Sequence, residues 1–262
     1  MFPLHDNNPT TRLPVVTVVI ILVNVAALIW LARLPEQEQT LAVVKYGFVP
    51  ERIQQLSNHK VVTVKFPPQQ IIDQFQRVVV RVQRPIDLPP LPSAVYRSIL
   101  TSMFLHGGWL HLLGNMWFLW LFGNNVEDSM GHARYLVFYL LSGLAAAAAQ
   151  TLVNPNSAIP MVGASGAISG VMGAYIVLYP RVRVHMLIFL GFFITRAVVP
   201  AYVMLGYWFL LQLVGGLPSM GGEAGGVAFW AHAGGFLTGA ALILVFRDQD
   251  LVARHRALAR YV

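Results

Sequence analysis

The strongest constraint on this chain is the length of the stretches that carry no charged side chain. The run from Tyr135 to Pro180 contains no Asp, Glu, Lys or Arg. Charged residues make up only 11% of the sequence, whereas they make up about a quarter of soluble domains. Because a helix of roughly 20 apolar residues crosses a bilayer, we predict an all-α, polytopic membrane protein.

Six apolar segments qualify as membrane spans and together predict a single domain, a six-helix bundle. We place the spans at residues 15–34, 109–126, 133–153, 165–180, 198–214 and 227–246. Residues 1–14 are expected to be a short polar tail. The apolar segment 185–194 is expected to be a hydrophobic lead-in to the fifth span or part of a longer tilted helix. The basic tail at 247–262 is expected to be a helix on the membrane surface.

Residues 35–108 separate the first two spans and are predicted to form one long loop outside the membrane. Segments 61–66 and 78–82 are rich in valine and have the composition of strands. We therefore expect a small β-hairpin or amphipathic elements within this loop. The sequence indicates no role for residues 51–95.

The arginines predict the orientation of the bundle. With six spans both chain ends lie on one side, and the connections at Arg134 and Arg181 share that side with Arg12 and the basic tail. The connections 154–162 and 215–226 contain no Lys or Arg. Because basic residues are retained in the cytoplasm, both termini are predicted to be cytoplasmic.

Composition also narrows the chemistry. The absence of cysteine excludes disulfides, thiolate catalysis and cysteine-based metal sites. The net charge of +7 comes from arginines beside apolar segments, so it indicates membrane topology and no nucleic-acid partner.

A serine surrounded by small residues opens the fourth span, in the segment Gly163-Ala-Ser165-Gly166. Its hydroxyl is free of bulky neighbours, and its backbone N–H lies at a helix start, where such donors are unpaired. These are properties of a nucleophile. The alternative is that the segment is only a face where another helix packs closely.

Spans two, four and six run in the same direction, so their first turns lie at similar depth and their polar residues can meet. We expect Ser165 to be the nucleophile and His232 the general base. His111 and Asn115 are four residues apart on one helix face, and with the Ser165 N–H they are expected to form an oxyanion hole. Five glycines are expected to let the helices approach near this site: Gly163, Gly166, Gly170, Gly235 and Gly239.

No carboxylate lies inside a span near these residues, so we favour a Ser–His dyad over a triad. Glu127 and Asp128 lie at the far end of span two. Glu223 precedes span six, and whether it orients His232 is left open.

Other interpretations of the same residues exist. His232 could be a packing histidine bonded to a carbonyl, and His111 with Asn115 could clamp two helices together. His106, His111 and His232 could form a metal set, but their spacing fits no zinc pattern. We expect no metal and no cofactor.

These residues resemble the signature of the rhomboid intramembrane serine proteases. The similar motifs are Gly163-Ala-Ser165-Gly166, His111-x-x-x-Asn115 and Ala231-His232-x-x-Gly235-x-x-x-Gly239. The resemblance implies a six-helix bundle with a water-accessible cavity open to the outer face. It also implies a Ser165–His232 dyad that cleaves peptide bonds in or near the transmembrane segments of other membrane proteins. Those proteins and the lipid bilayer are then the partners, and a bacterial plasma membrane is the expected location.

The resemblance leaves some features unassigned. Some members stack an aromatic ring on the catalytic histidine from four positions after the serine, and here that position is Ser169. The family arrangement suggests span five, with Trp208, Phe209 and Gln212, as a lateral gate. The rival functions are a non-catalytic adaptor of the same superfamily and a transporter whose intramembrane His and Asn line a pathway.

Overall fold

The computed structural model describes residues 2–66, 69–72, 78–81, 83–190, 193–218 and 227–258, and helices dominate it. The helices are α1 Val15–Ala32, α2 Glu36–Tyr46, α3 Gln55–Asn58, α4 Pro92–Thr101, α5 Trp109–Met130, α6 His132–Val153, α7 Ser165–Leu178, α8 Ala201–Gly216, α9 Phe229–Phe246 and α10 Gln249–Leu258. The strands are β1 Phe2–Asp6, β2 Val62–Val64, β3 Gln69–Ile72, β4 Val78–Arg81, β5 Ile86–Leu88, β6 Arg183–Leu190 and β7 Phe193–Pro200.

The helices form a membrane-embedded bundle. Within the described residues, α1, α6 and α9 are long and apolar enough to cross a bilayer, and α7 and α8 are apolar but shorter. The outward faces carry large apolar side chains, such as Leu22, which is 60% exposed, and Val245, which is 80% exposed. Such a surface is covered by lipid in an integral membrane protein.

Helix α7 lies at the centre of the bundle, where residues 167–175 are all buried. It packs most extensively against α9. A Cβ atom on Gly239 would lie 1.9 Å from the carbonyl oxygen of Gly170, and one on Gly235 would lie 2.1 Å from that of Gly166. These glycines therefore set the distance between the two helices. We call the end of the bundle with Ser165 the site end and the end with Leu178 the opposite end.

Helix α5 continues to Met130, beyond the boundary at residue 126 that the sequence suggests. Its last turns are polar yet buried, because they bind the start of α1. The Glu127 carboxylate accepts hydrogen bonds from the Val16 N–H at 2.9 Å and from the Thr17 N–H and hydroxyl at 2.8 and 2.7 Å. A carboxylate in this position satisfies the unpaired donors of a helix N-terminus and interacts favourably with its dipole.

The expectation of an all-α protein is wrong at the opposite end. Residues 183–190 and 193–200 form an antiparallel hairpin, with His185 opposite Val198, and β1 adds to the free edge of β6. Residues 185–190 and 193–194 therefore lie in strands and not in a lead-in or a helix, and α8 begins at Ala201. Likewise residues 2–6 are a paired strand and not part of a free tail. An apolar run of this length does not distinguish strand from helix, and the pairing partner β1 is remote in sequence.

In the loop between α1 and α5, the two valine-rich segments contain strands β2 and β4, as the sequence predicts. These two strands do not pair with each other. Strand β2 pairs with β5, and β3 pairs with β4. A small apolar cluster, comprising Val44, Val49, Val62, Val64 and Leu88, joins β2 and β5 to α2.

Helix α10, in the C-terminal tail, docks on the opposite end of the bundle, and its position at the membrane surface stays a prediction. Asp248 directly precedes this helix and accepts hydrogen bonds from the N–H groups of Asp250 and Leu251. Val252 and His255 are buried, and His255 Nε2 lies 2.7 Å from the carbonyl oxygen of Pro9. These contacts hold the tail against the N-terminal segment.

Candidate active site

Ser165 is the first residue of α7, directly after a turn that only glycine adopts easily. Gly163 has a φ of +125°, and its N–H donates to the Ser102 carbonyl at 2.9 Å. Because the chain enters the helix at Ser165, the N–H of this residue has no carbonyl four positions earlier in the helix to bind. The sequence thus places a hydroxyl and an unpaired N–H together at the site end.

His232 lies in the first turn of α9, and its Nε2 is 2.8 Å from Ser165 Oγ. The close approach of the two helices makes this contact possible, since Gly235 lies against the backbone of Gly166 one turn away. The structure therefore brings together the serine and the histidine that the sequence singles out.

The other ring nitrogen of His232 has a partner that the sequence does not identify. His232 Nδ1 lies 2.9 Å from Oε1 of Gln212 on α8. The Gln212 amide nitrogen donates to the carbonyl of Trp208 at 3.2 Å. Ser169, where some family members have an aromatic ring, donates instead to the Ser165 carbonyl at 2.6 Å. The sequence feature that could have pointed to Gln212 is its position as a single amide in an apolar span, because such an amide requires a polar partner.

His111 and Asn115 line the same cavity as Ser165 and His232, which has a volume of about 780 Å³. A Cβ atom on Gly163 would lie 2.9 Å from the His111 ring and 3.7 Å from Ser165 Oγ, so ring and hydroxyl flank one small space. The Asn115 amide nitrogen donates to the His111 carbonyl at 3.0 Å, which leaves its second hydrogen for another acceptor. The His111 and Asn115 side chains can thus both face the carbonyl oxygen of a peptide bound at Ser165.

The three histidines of the alternative metal set do not converge. The rings of His106 and His111 meet edge to face with centroids 5.0 Å apart, whereas His232 is bound to Ser165 and Gln212. Burial lowers the pKa of His106 to about 4, and the neighbouring His111 adds to the effect, so this ring is neutral at pH 7. Within the described ranges no three side chains of metal-ligand type cluster.

The carboxylates near the candidate spans are far from the site or outside the described part of the chain. Glu127 and Asp128 bind the N-terminal segment at the opposite end; Asp128 accepts from the Thr11 N–H at 2.6 Å. Glu223, which could orient His232, lies outside the described residues.

Comparison with known proteins identifies a family and several similar proteins. A family model described as the Rhomboid domain matches residues 92–249. The chain is 35% identical to the Rhomboid protease GluP of Bacillus subtilis over 135 residues, which are 52% of this chain and 25% of that protein. It is 37% identical to the Putative rhomboid protease YdcA of Bacillus subtilis over 78 residues, 30% of this chain and 39% of that protein. It is also 36% identical to the Inactive rhomboid protein 1 of Drosophila melanogaster over 87 residues, 33% of this chain and 6% of that protein. Each match thus covers less than half of the relative's length.

Proposed function

Because the chain belongs to the rhomboid family, we propose that it is an intramembrane serine endopeptidase that acts through Ser165 and His232. Its substrates are other membrane proteins, cleaved in or near their transmembrane segments. The hydrogen bond of 2.8 Å between Ser165 Oγ and His232 Nε2 is the observation that carries this proposal. The names of two relatives, one a rhomboid protease and one a putative rhomboid protease, support it.

The reaction follows from the positions of the side chains. Ser165 Oγ attacks the carbonyl carbon of the peptide bond while His232 Nε2 takes the hydroxyl proton. The negative oxygen that forms is stabilised by the Ser165 N–H, His111 and Asn115. Collapse of this intermediate breaks the C–N bond, and His232 returns the proton to the leaving amine. Water, deprotonated by His232, then hydrolyses the acyl-enzyme and regenerates Ser165.

For the topology, we propose that α5, α7 and α8 cross the bilayer together with α1, α6 and α9. The opposite end then faces the cytoplasm, because Arg134 and Arg181 lie there in short connections. The site end and its cavity open towards the outer face, and the loop at 35–108 lies outside. No metal or cofactor takes part in the proposed reaction.

The test is labelling and cleavage by the purified protein in lipid. Wild type is expected to react with a fluorophosphonate and to cleave a model transmembrane substrate. Ser165→Ala is expected to abolish both activities, and His232→Ala to abolish cleavage, with thermal unfolding curves like those of wild type. Labelling of the Ser165→Ala variant equal to that of wild type would exclude Ser165 as the nucleophile.

The similarity to the Inactive rhomboid protein 1 favours one second candidate, a non-catalytic adaptor that binds transmembrane helices. An adaptor would retain a bound client protein intact. Incubating the client with wild type and with Ser165→Ala distinguishes the two functions. Only a protease yields fragments, and only when Ser165 is present.

A further inference from the structure

We propose that Gln212 is a positioning residue that fixes the tautomer and the orientation of His232. This inference rests on the proposed function, because it assigns the residue that prepares the general base. Gln212 Oε1 lies 2.9 Å from His232 Nδ1, on the side of the ring opposite Ser165. The three side chains thus form a continuous chain of hydrogen bonds from α8 through α9 to α7.

The direction of each hydrogen bond follows from the partners. The carbonyl of Trp208 can only accept, so the end of the Gln212 amide that lies 3.2 Å from it is the NH₂ group. The oxygen of the amide therefore faces His232, and because this oxygen also only accepts, Nδ1 carries the hydrogen. A neutral imidazole with its proton on Nδ1 has a lone pair on Nε2. That lone pair faces the Ser165 hydroxyl, which is the arrangement a general base requires.

The surrounding contacts hold Gln212 in this position. Its side chain is buried, and the turn before it packs on α9 through Phe209, whose ring stacks on that of Phe236 with centroids 4.7 Å apart. One turn later, the Trp230 ring nitrogen donates to the carbonyl of Gly216 at 3.1 Å. Because α8 is attached to α9 on both sides of Gln212, the amide is fixed before any substrate binds.

Gln212 supplies an acceptor that orients the His232 ring, which Ser169 and Trp208 near the ring do not. Ser169 uses its hydroxyl for the Ser165 carbonyl, and the ring of Trp208 lies 6.0 Å from that of His232 at 38°, which is tilted rather than stacked. A neutral amide oxygen orients the imidazole without placing a negative charge in the bilayer, which would be costly.

Two substitutions separate positioning from packing. Gln212→Met keeps the length of the side chain but removes the acceptor. We expect kcat to fall roughly 10–100-fold with little change in KM, since one buried hydrogen bond to the base is lost. Gln212→Glu keeps an acceptor oxygen, so it is expected to recover most of kcat. Its carboxylate stabilises the protonated imidazolium, so the acidic limb of the kcat/KM profile is expected to move to higher pH. Leu211→Met, at a neighbouring exposed position of α8, is the matched control and is expected to behave like wild type.

The tautomer is read independently by ¹⁵N NMR of histidine-labelled protein, with His232→Ala used to assign the signals. Wild type is expected to show His232 protonated on Nδ1, and Gln212→Met a mixture of both tautomers. Unchanged tautomer signals and a kcat within twofold of wild type in Gln212→Met would overturn the proposal. So would an equal fall of kcat in both variants with no shift of the pH profile of Gln212→Glu, since that pattern means a packing role. An inactive, unlabelled wild type with the Nδ1 tautomer would instead overturn the proposed function and leave the assignment of Gln212 intact.

Discussion

Adding one methyl group to α9 at Gly235 should separate the proposed nucleophile from its base. A Cβ atom there would lie 2.1 Å from the carbonyl oxygen of Gly166. A carbon and a carbonyl oxygen approach to roughly 3.3 Å at closest, so in Gly235→Ala the two helices must move apart by about 1 Å. The atom in the way belongs to the backbone of α7, which no side-chain rotation can move.

The consequence for activity follows from the position of Gly235 one turn after His232. A shift of about 1 Å lengthens the contact of 2.8 Å between Ser165 Oγ and His232 Nε2 beyond the range of a hydrogen bond. We expect kcat to fall on the order of 100-fold. Overpacking should also lower the free energy of unfolding by about 1–3 kcal/mol.

The assay compares cleavage of a model transmembrane substrate and the rate of fluorophosphonate labelling, per folded molecule, in proteoliposomes. The matched control is Gly206→Ala on α8, where a Cβ atom would meet nothing within 4 Å. This control should keep full activity and gain up to about 1 kcal/mol of stability, because alanine is favoured over glycine within a helix. A folded Gly235→Ala protein with the kcat of wild type would refute the reasoning.

Three further predictions concern other parts of the molecule. Burial raises the pKa of Asp6 to about 6 from 3.8, so the folded state binds the proton more tightly than the unfolded state, and the free energy of unfolding should fall by about 2 kcal/mol as pH rises from 4 to 6. Asp6→Asn should remove this fall. The same dependence of the free energy of unfolding on pH in wild type and Asp6→Asn, measured at pH 4–8, would contradict the prediction. Glu127→Gln should lower the free energy of unfolding by about 1–3 kcal/mol, because it weakens the hydrogen bonds that the carboxylate accepts from Val16 and Thr17. The kcat per folded molecule should stay unchanged, and a loss of kcat without a loss of stability would count against this prediction. Gly163→Ala should strain a turn with φ +125° and push the His111 ring, 2.9 Å from the new methyl group, so kcat should fall at least tenfold; a kcat equal to that of wild type would argue against His111 as an oxyanion donor.

Those parts of the molecule that depend on local pattern could be predicted from the sequence. The uncharged runs indicate a membrane protein, and the motifs around Ser165, His111 and His232 indicate the rhomboid family, which the match over residues 92–249 confirms. The direction of the spans also predicts that these three residues lie at similar depth. The structure has them around one cavity.

The sheet at the opposite end could not be predicted, because its pairing is not local. Strand β6 pairs with residues 2–6 near the start of the chain, and nothing in an apolar run reveals a partner so remote in sequence. The same applies to Tyr175 of α7, whose hydroxyl donates to Asp6 and accepts from the Asn8 amide at 3.2 Å. The Tyr175 hydroxyl inside α7 is thus satisfied by the N-terminal segment, which the sequence indicates only as a short polar tail.

Gln212 shows how polar residues inside the spans can indicate contacts between helices from the sequence. A polar side chain in a span is costly unless it is bonded, so each one requires a partner. Span five contains one amide, Gln212, and span six contains one imidazole, His232, at matching ends of antiparallel neighbours. If Ser165 occupies Nε2, then Nδ1 requires an acceptor, and Gln212 requires a donor. Pairing these unmet requirements makes the contact of 2.9 Å that the structure contains one of the contacts to expect, without any reference to a conserved motif.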